Sequence, residues 1–216
     1  MITDRAAFIR EQTVVAKPPL CPELPLHLIT EACPLWRAGE RELEALGLPP
    51  PYWAFCWPGG QALARFLLDH PEEIRGARVL DFGAGGAVEG LAALRSGAAS
   101  VLATDLDPFA LEAMGLNAAL HGLTLTPSGE DLLGQPLEGI DTVLCGDVCY
   151  DRAMAEATHA WARQLASSGI RVFISDPGRG FLPREGLVLR AEHDAPADGD
   201  VQGVLLRRTF VFEVAA

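Results

Sequence analysis

A glycine-rich turn that follows an apolar run is the first feature of this chain that could do chemistry. The run Val79-Leu80-Asp81-Phe82 leads into Gly83-Ala84-Gly85-Gly86, and a second apolar run, residues 101–104, ends on Asp105. Glycine lets the backbone approach a ligand closely, and a carboxylate at the end of the next strand can accept hydrogen bonds from both hydroxyls of a ribose. This spacing predicts a site for an adenosine-containing cofactor, with Gly83 and Gly85 in the turn and Asp105 on the ribose.

The turn departs from the dinucleotide fingerprint. The third glycine of that fingerprint would fall at position 88, where this chain has Val88. A dinucleotide also needs the amino end of a helix facing its pyrophosphate, whereas S-adenosylmethionine has no phosphate and tolerates a looser turn. Asp81, placed before the first glycine, could then serve the methionine amino group directly or through water. A purely structural turn is the competing interpretation.

Two further acidic positions have competing roles. Asp107 precedes Pro108 and is typical of a helix cap, so we assign the ribose to Asp105 and capping to Asp107. Asp131 lies in a loop after a weak strand. It either contacts the adenine amino group or caps a helix that begins before Leu132, and both alternatives stay open.

The segment Asp147-Val148-Cys149-Tyr150 follows the apolar run 141–146. In a doubly wound sheet this strand end opens beside the reactive group of a cofactor. A DNA-aminomethylating enzyme would carry Asn/Asp-Pro-Pro-Tyr here, and both prolines are missing. Asp147 and Tyr150 instead offer a carboxylate and an aromatic wall around an amine, or else a buried tyrosine beside a helix cap. Trp57, in the aromatic segment 51–61, either packs in the core or closes the cofactor pocket.

Strand-like and helix-like segments alternate from Gly59 onwards, which indicates a parallel sheet with helices on both faces. The tail holds two strand-like runs with no helix between them, and these are expected to pair as an antiparallel hairpin. The fold class is therefore α/β, a doubly wound, Rossmann-like seven-stranded sheet with a C-terminal hairpin, as in class I methyltransferases. The predicted strands are 78–82, 100–105, 123–126 (the weakest), 141–146, 170–175, 187–192 and 204–212; the predicted helices run from 59 to about 70 and over 87–96, 108–121 and 152–167.

Length and composition predict one catalytic domain behind a short arm. The chain has 216 residues, enough for a single α/β domain. Residues 1–50 are rich in proline and predict an extended arm with a short helix capped by Asp4 and with Leu28 and Trp36 as anchors. Residues 51–216 would form the S-adenosylmethionine-dependent methyltransferase domain.

Charge and cysteine usage bound the partners and the compartment. The net charge of −12 argues against nucleic acid as a partner; it favours a basic protein substrate or merely keeps the protein soluble. No apolar run is long enough for a membrane span, and no secretory or transit signal is evident. The five cysteines show neither disulfide nor metal-site spacing, so we expect free thiols, no metal site and a cytoplasmic protein.

Together, the aromatic segment, the glycine turn, Asp105 and the segment 147–150 resemble the seven-β-strand protein-lysine methyltransferases. The most similar branch methylates the β subunit of electron transfer flavoprotein. The resemblance covers about residues 50–165, and Trp57-Pro58-Gly59-Gly60-Gln61 is its most specific part. It implies S-adenosyl-L-methionine as cofactor. By this resemblance Asp81, Gly83 and Gly85 line the methionine end of the cofactor, and Asp105 holds its ribose. Trp57 covers the cofactor, and Asp147 and Tyr150 shape the lysine channel. The family's third glycine is replaced by Ala87, with little effect expected because that residue packs the helix.

The resemblance implies protein-lysine N-methylation with the flavoprotein β subunit as the expected substrate. A class I methyltransferase acting on a small molecule or on another protein, such as a ribosomal or arginine target, is the main alternative. A nicotinamide-dependent oxidoreductase is disfavoured by Val88 and by the hairpin tail. A non-catalytic scaffold is disfavoured because the cofactor motifs are intact.

Overall fold

The computed structural model describes residues 2, 4–37, 43, 48–196 and 206–216. Its helices with described bounds are α1 (Arg5–Gln12), α2 (Pro58–Asp69), α3 (Val88–Arg95), α4 (Pro108–Leu120) and α5 (Arg152–Ser167). The strands are β1 (Val14–Ala16), β2 (Leu26–Leu28), β3 (Arg78–Phe82), β4 (Ser100–Thr104), β5 (Thr126–Ser128), β6 (Thr142–Gly146), β7 (Arg171–Asp176), β8 (Leu187–Pro196) and β9 (Leu206–Val214). Within these ranges no helix combines the length and apolar character of a membrane span.

One mixed sheet organises the described chain, with the strand order β5-β4-β3-β6-β7-β9-β8. Strands β3 to β7 run parallel to one another, and β9 runs antiparallel to both β7 and β8. The chain builds outward from β3 through β4 to β5 and then returns to lay β6 on the other side of β3. The crevice at this reversal, outside the carboxyl ends of the strands, is where doubly wound folds bind ligands. The predicted α/β fold with its C-terminal hairpin is confirmed.

The strand boundaries differ from prediction at β8, which continues to Pro196 instead of ending at residue 192, and at β5. Its three residues, Thr126-Pro127-Ser128, lie later than the predicted segment 123–126. Proline disfavours a strand because it has no backbone N–H to donate, so Pro127 in the sequence argues against β5. However, β5 is an edge strand, where the missing N–H need not face a partner strand. Residues 204–205 of the predicted last strand lie outside the described residues.

The sheet separates two hydrophobic clusters. Successive side chains of a strand point to opposite faces, so Val79 packs in the cluster with α2, α3 and α4, whereas Leu80 packs with α5. Burial of this kind contributes about 25 cal/mol per Å² of apolar surface. The strands are therefore held from both faces, and their carboxyl ends are fixed relative to one another.

The arm packs against the same cluster as α4. Asp4 caps α1 by accepting a hydrogen bond of 2.8 Å from the Ala7 N–H, as predicted. Leu28 is buried, and Trp36 packs its ring 5.7 Å from that of Phe55, so both expected anchors are observed. Asn117 of α4 accepts from the backbone N–H of His27 (2.8 Å). The division of the chain at residue 50 stays a prediction.

Candidate active site

A cavity of about 670 Å³ opens at the carboxyl edge of the sheet. Its walls come from the residues that follow β3, β4 and β6, from the first turn of α3, and from the aromatic segment that precedes α2. This crevice lies where the strand order reverses between β3 and β6. Its volume lies in the usual range for small-molecule and cofactor sites. The topology therefore brings most of the predicted site residues to one cavity.

The glycine turn after β3 lines this cavity with backbone. Gly83 and Gly85 have φ values of 66° and 51°, a region that side chains rarely adopt. A Cβ atom on Gly83 would also lie 2.8 Å from Cγ1 of Val148. Ala87, the substitute for the family's third glycine, is buried outside the lining, as expected of a packing residue. It nevertheless has φ 62°, a strain of about 1–2 kcal/mol that the sequence analysis missed.

Asp105 joins the glycine turn to the end of β4. Its Oδ2 accepts from the Gly85 N–H (2.9 Å) and its Oδ1 accepts from the Asp107 N–H (2.9 Å). A carboxylate offers about four acceptor positions, so both oxygens can accept further bonds from the cavity. Asp107 caps α4 by accepting from the Phe109 N–H (2.8 Å), which confirms its predicted capping role.

Asp81 does not reach the cavity. Its side chain is fully buried beneath α3, where its Oδ2 accepts from the Gly90 N–H (2.8 Å). Burial raises the pKa of Asp81 to about 7, and the neighbouring charge of Asp105 adds to the rise. The expectation of a direct contact with the methionine amino group is not met, because strand alternation turns this side chain under the helix.

Asp131 lies on the rim of the cavity. Its Oδ1 accepts from the Leu133 N–H (3.1 Å). These residues form a turn rather than a helix, so the alternative that Asp131 caps a helix is wrong. Its contact with adenine stays a prediction.

Asp147 connects three elements at the inner end of the cavity. It is 9% exposed, with φ 60°. Its Oδ2 accepts from the Gly59 N–H at the start of α2 (2.5 Å), its Oδ1 forms an ion pair with Arg179, and its own N–H donates to the Ser175 carbonyl of β7 (3.0 Å). Left-handed backbone at such a residue costs about 1–3 kcal/mol and is typical of functional sites.

Arg179 is a site residue that the sequence analysis missed. It lies in the turn after β7, where Asp176 accepts from the N–H groups of Gly178 (2.7 Å) and Arg179 (3.1 Å). The side chain lines the cavity beside Asp147. The sequence did hold a signal for Arg179. The loop that contains it follows β7, and β7 ends at the same edge of the sheet as its parallel neighbour β6.

Glu89 is the second missed residue. It lies in the first turn of α3, lines the cavity and is only 4% exposed. Burial raises its pKa well above the usual range, and the neighbouring Asp81 raises it further. The signal in the sequence was a single charge in the otherwise uncharged first turn of a short helix.

Aromatic side chains form the mouth of the cavity. Tyr150 is 59% exposed, so the alternative of a buried tyrosine is wrong. Trp57 lines the same mouth. Its indole N–H donates to the Tyr52 carbonyl (2.9 Å), and its ring lies 5.3 Å from that of Phe55.

The cysteines at the end of β6 are packing residues. Cys145 and Cys149 are buried, and burial raises the pKa of Cys149 to about 12. The thiolate is the reactive form of cysteine, so Cys149 is not poised as a nucleophile. This agrees with the sequence-based interpretation.

Comparison with known proteins identifies the family. The family model for ribosomal protein L11 methyltransferase (PrmA) matches residues 62–145. The electron transfer flavoprotein beta subunit lysine methyltransferase of Xenopus laevis is 43% identical over 175 residues, which are 80% of this chain and 70% of that protein. The chain belongs to this lysine methyltransferase family. It is therefore an enzyme, a protein-lysine methyltransferase.

Two further matches span most of the chain. A homolog of the lysine methyltransferase from Caenorhabditis elegans is 36% identical over 230 residues, covering 97% of this chain and 93% of that one. The structure of magnesium protoporphyrin IX methyltransferase from Synechocystis, solved with bound SAM, covers 71% of this lysine methyltransferase and 76% of its own chain, with 21% identity and a TM-score of 0.50. At that identity the structural match supports the fold alone.

Proposed function

We propose that this enzyme transfers methyl groups from S-adenosyl-L-methionine to a lysine of the electron transfer flavoprotein β subunit. The names of its relatives support the substrate. The observation that carries the proposal is the single cavity that joins the Asp105-anchored glycine turn to an aromatic mouth at Trp57 and Tyr150. Methylation of a small molecule or of another protein is not favoured, because the relatives that match over most of the chain are lysine methyltransferases of one named target, whereas the ribosomal protein L11 methyltransferases match a smaller part of it.

The residues present fit the cofactor. Gly83 to Gly86 offer bare backbone to it, and Asp105 keeps acceptor positions for the ribose hydroxyls. Asp131, on the rim, would face the adenine. The inner end holds Glu89 and Arg179, charged groups of opposite sign that suit the amino-acid end of the molecule.

The protein's part in catalysis is alignment and desolvation. When bound, S-adenosyl-L-methionine supplies an electrophilic methyl group on a cationic sulfur. The lysine nitrogen must be neutral to attack, although the ordinary pKa of lysine is about 10.4. The aromatic wall of Trp57 and Tyr150 lowers that pKa by excluding water, and the proton leaves to water.

Asp147 and Tyr150 would orient the amine. The carboxylate of Asp147 is fixed by the Gly59 N–H and by Arg179, so little reorganisation is needed when the amine arrives. When bound, the cofactor would supply the methyl group and leave as a neutral thioether, while Asp147 and Tyr150 would hold the amine in line with it.

The acidic surface suits a basic segment of a protein substrate rather than nucleic acid, because phosphate backbones are held by basic residues. The net charge is −12. The five cysteines are free thiols, which fits a reducing compartment, and we place the enzyme in the cytoplasm.

The test is transfer of labelled methyl groups to purified electron transfer flavoprotein, followed by identification of the labelled subunit and residue. Asp147→Asn is the informative variant, since its amide oxygen can still accept from Gly59 while the charge is lost. We expect turnover to fall by roughly a hundredfold or more while cofactor affinity changes little. Asp151→Asn is the matched control, because Asp151 caps α5 outside the cavity lining and asparagine caps equally well.

Label on a lysine of the β subunit, lost in Asp147→Asn and kept in Asp151→Asn, supports substrate and site together. Label on a different protein of a cell lysate would refute the substrate while leaving lysine methylation intact. If Asp147→Asn loses cofactor binding as well as turnover, the residue is structural and the catalytic assignment fails.

A further inference from the structure

The Glu89 carboxyl occupies a space that two glycines leave open. On one side is Gly60 of α2, where an added Cβ would lie 3.3 Å from Glu89 Oε1. On the other is Gly146 at the end of β6, where an added Cβ would overlap the same oxygen and lie 2.8 Å from Glu89 Cδ. Two elements distant in sequence thus make room for this carboxyl against the cavity.

The protein gives this carboxyl no counter-ion. Among the described residues, Glu89 has no salt bridge and no hydrogen bond to another residue, while Asp81 and Asp147 repel its charge. A buried carboxyl without a cation is expensive to ionise, so the protonated form of Glu89 is favoured in the free enzyme. The Glu89 carboxyl faces the cavity, and a cation bound there would supply the counter-ion that the carboxyl lacks.

The neighbouring groups select the kind of cation. Arg179 and the amino end of α2 converge on Asp147, which in turn neighbours Glu89, so both signs of charge meet at the inner end of the cavity. This pairing suits a zwitterionic amino acid rather than a simple cation. The ribose acceptor Asp105 lies elsewhere on the cavity wall, at the end of β4.

We propose that Glu89 is the counter-ion for the α-ammonium group of the cofactor's amino-acid portion. This inference rests on the proposed function for the identity of the cofactor. It replaces the role that the sequence analysis gave to Asp81, whose side chain lies under α3.

Binding is then coupled to proton release. An ammonium group beside Glu89 favours the carboxylate, so the carboxyl gives its proton to solvent when the cofactor enters. Arg179 pairs with Asp147, and the titratable groups that face Glu89 among the described residues are acids and thiols. They are Asp81 on β3, Asp147 after β6, Cys145 within β6, Cys56 before α2 and Cys21 in the arm.

The test is calorimetric binding of three ligands to the wild type and to Glu89→Gln. S-adenosylmethionine and S-adenosylhomocysteine both carry the ammonium group, whereas methylthioadenosine keeps the adenosine and lacks the amino-acid tail. Glutamine matches the protonated carboxyl in shape. We expect the first two affinities to fall by roughly tenfold or more and the third to stay unchanged. Buffers of different ionisation enthalpy should show proton release on binding in the wild type that disappears in the variant.

Equal losses for all three ligands would refute the inference and assign Glu89 to pocket shape. If only the affinity for S-adenosylmethionine falls, Glu89 contacts the sulfonium and not the ammonium group, and the inference is refuted. If no affinity falls, the inference is refuted as well. Should Glu89→Gln fail to fold, the wild type suffices: between pH 5.5 and 7, where the α-amine of the ligand stays protonated, affinity for S-adenosylhomocysteine should rise relative to methylthioadenosine. These binding results do not depend on the methyl acceptor, so they stay decisive if the flavoprotein proves not to be the substrate.

Discussion

Single residues at the strand ends combine a structural bond with a position on the cavity. Asp105 holds the glycine turn through Gly85, and Asp147 holds α2 through Gly59. A substitution that removes all acceptors from either residue would therefore disturb the backbone as well as the site. Amide variants are the sharper tools, because they keep the shape and one acceptor oxygen while they remove the charge and turn the other oxygen into a donor.

Asp105→Asn should weaken the binding of S-adenosylmethionine and of methylthioadenosine alike, since both ligands carry the ribose. Loss of a hydrogen bond to a charged group is worth about 1.5–3 kcal/mol, so we expect roughly a tenfold to hundredfold drop in affinity. Calorimetry measures both ligands. Unchanged affinity for methylthioadenosine would remove the ribose assignment, and the unfolding midpoint shows whether the Gly85 contact survived.

At the scale of elements, close packing of α2 on the sheet forms the inner end of the cavity. The helix approaches so closely that a Cβ on Gly59 would lie 2.7 Å from the Asp147 nitrogen and 2.9 Å from the Ser175 carbonyl oxygen. Both are backbone atoms that cannot turn aside. Gly59 at the start of α2 is thus a packing requirement.

Gly59→Ala should lower the free energy of unfolding by about 1–3 kcal/mol, because the added methyl group forces α2 away from β6 and β7. Thermal unfolding would show a midpoint lower by about 2–4 °C per kcal/mol. Gly115→Ala is the matched control. It lies within α4, nothing approaches its Cβ position within 4 Å, and alanine there should stabilise by about 0.5–1 kcal/mol. A Gly59→Ala variant as stable as the wild type would refute this account of the packing.

At the scale of the whole molecule, buried and surface acids respond to pH in opposite directions. Arg171 and Arg190 pair with Glu73 and Glu213, joining the segment before β3 to β7, β8 and β9, and the pKa of Glu73 is lowered. That stabilisation is lost as pH falls. The raised pKa of Asp81 acts oppositely, since its ordinary value is 3.8 and its folded value is about 7.

Between about pH 4 and 7 the folded state binds more protons at Asp81 than the unfolded state does, so its contribution to stability falls as pH rises, by at most roughly 1.4 kcal/mol per pH unit. Asp81→Asn removes this dependence and keeps an acceptor for Gly90. We therefore expect the variant to gain stability relative to the wild type between pH 5 and 7.5, measured by urea unfolding. The exposed Asp151→Asn should show no such trend, and parallel pH profiles for Asp81→Asn and the wild type would contradict the prediction.

Local patterns in the sequence were enough to predict most of the fold and half of the site. Hydrophobic periodicity is local, so strands, helices and the hairpin could be read from neighbouring residues. The ends of parallel strands meet at one edge, and this rule alone places Asp105, Asp147 and the glycine turn around one cavity. The aromatic segment and these motifs together pointed to the methyltransferase family that the relatives then identified.

Only the tertiary structure decided which charges meet. Asp147 and Arg179 are 32 residues apart, and their ion pair depends on the order of β6 and β7 in the sheet. The place of Glu89 depends on how closely α2 and β6 approach α3, and the burial of Asp81 depends on which face of β3 it occupies. Periodicity gives each element a face, but the register and separation of packed elements are set by side-chain shape across the whole core. For that reason the sequence by itself determined the family and the edge of the sheet that binds, whereas the fold decided which carboxyls line the cavity.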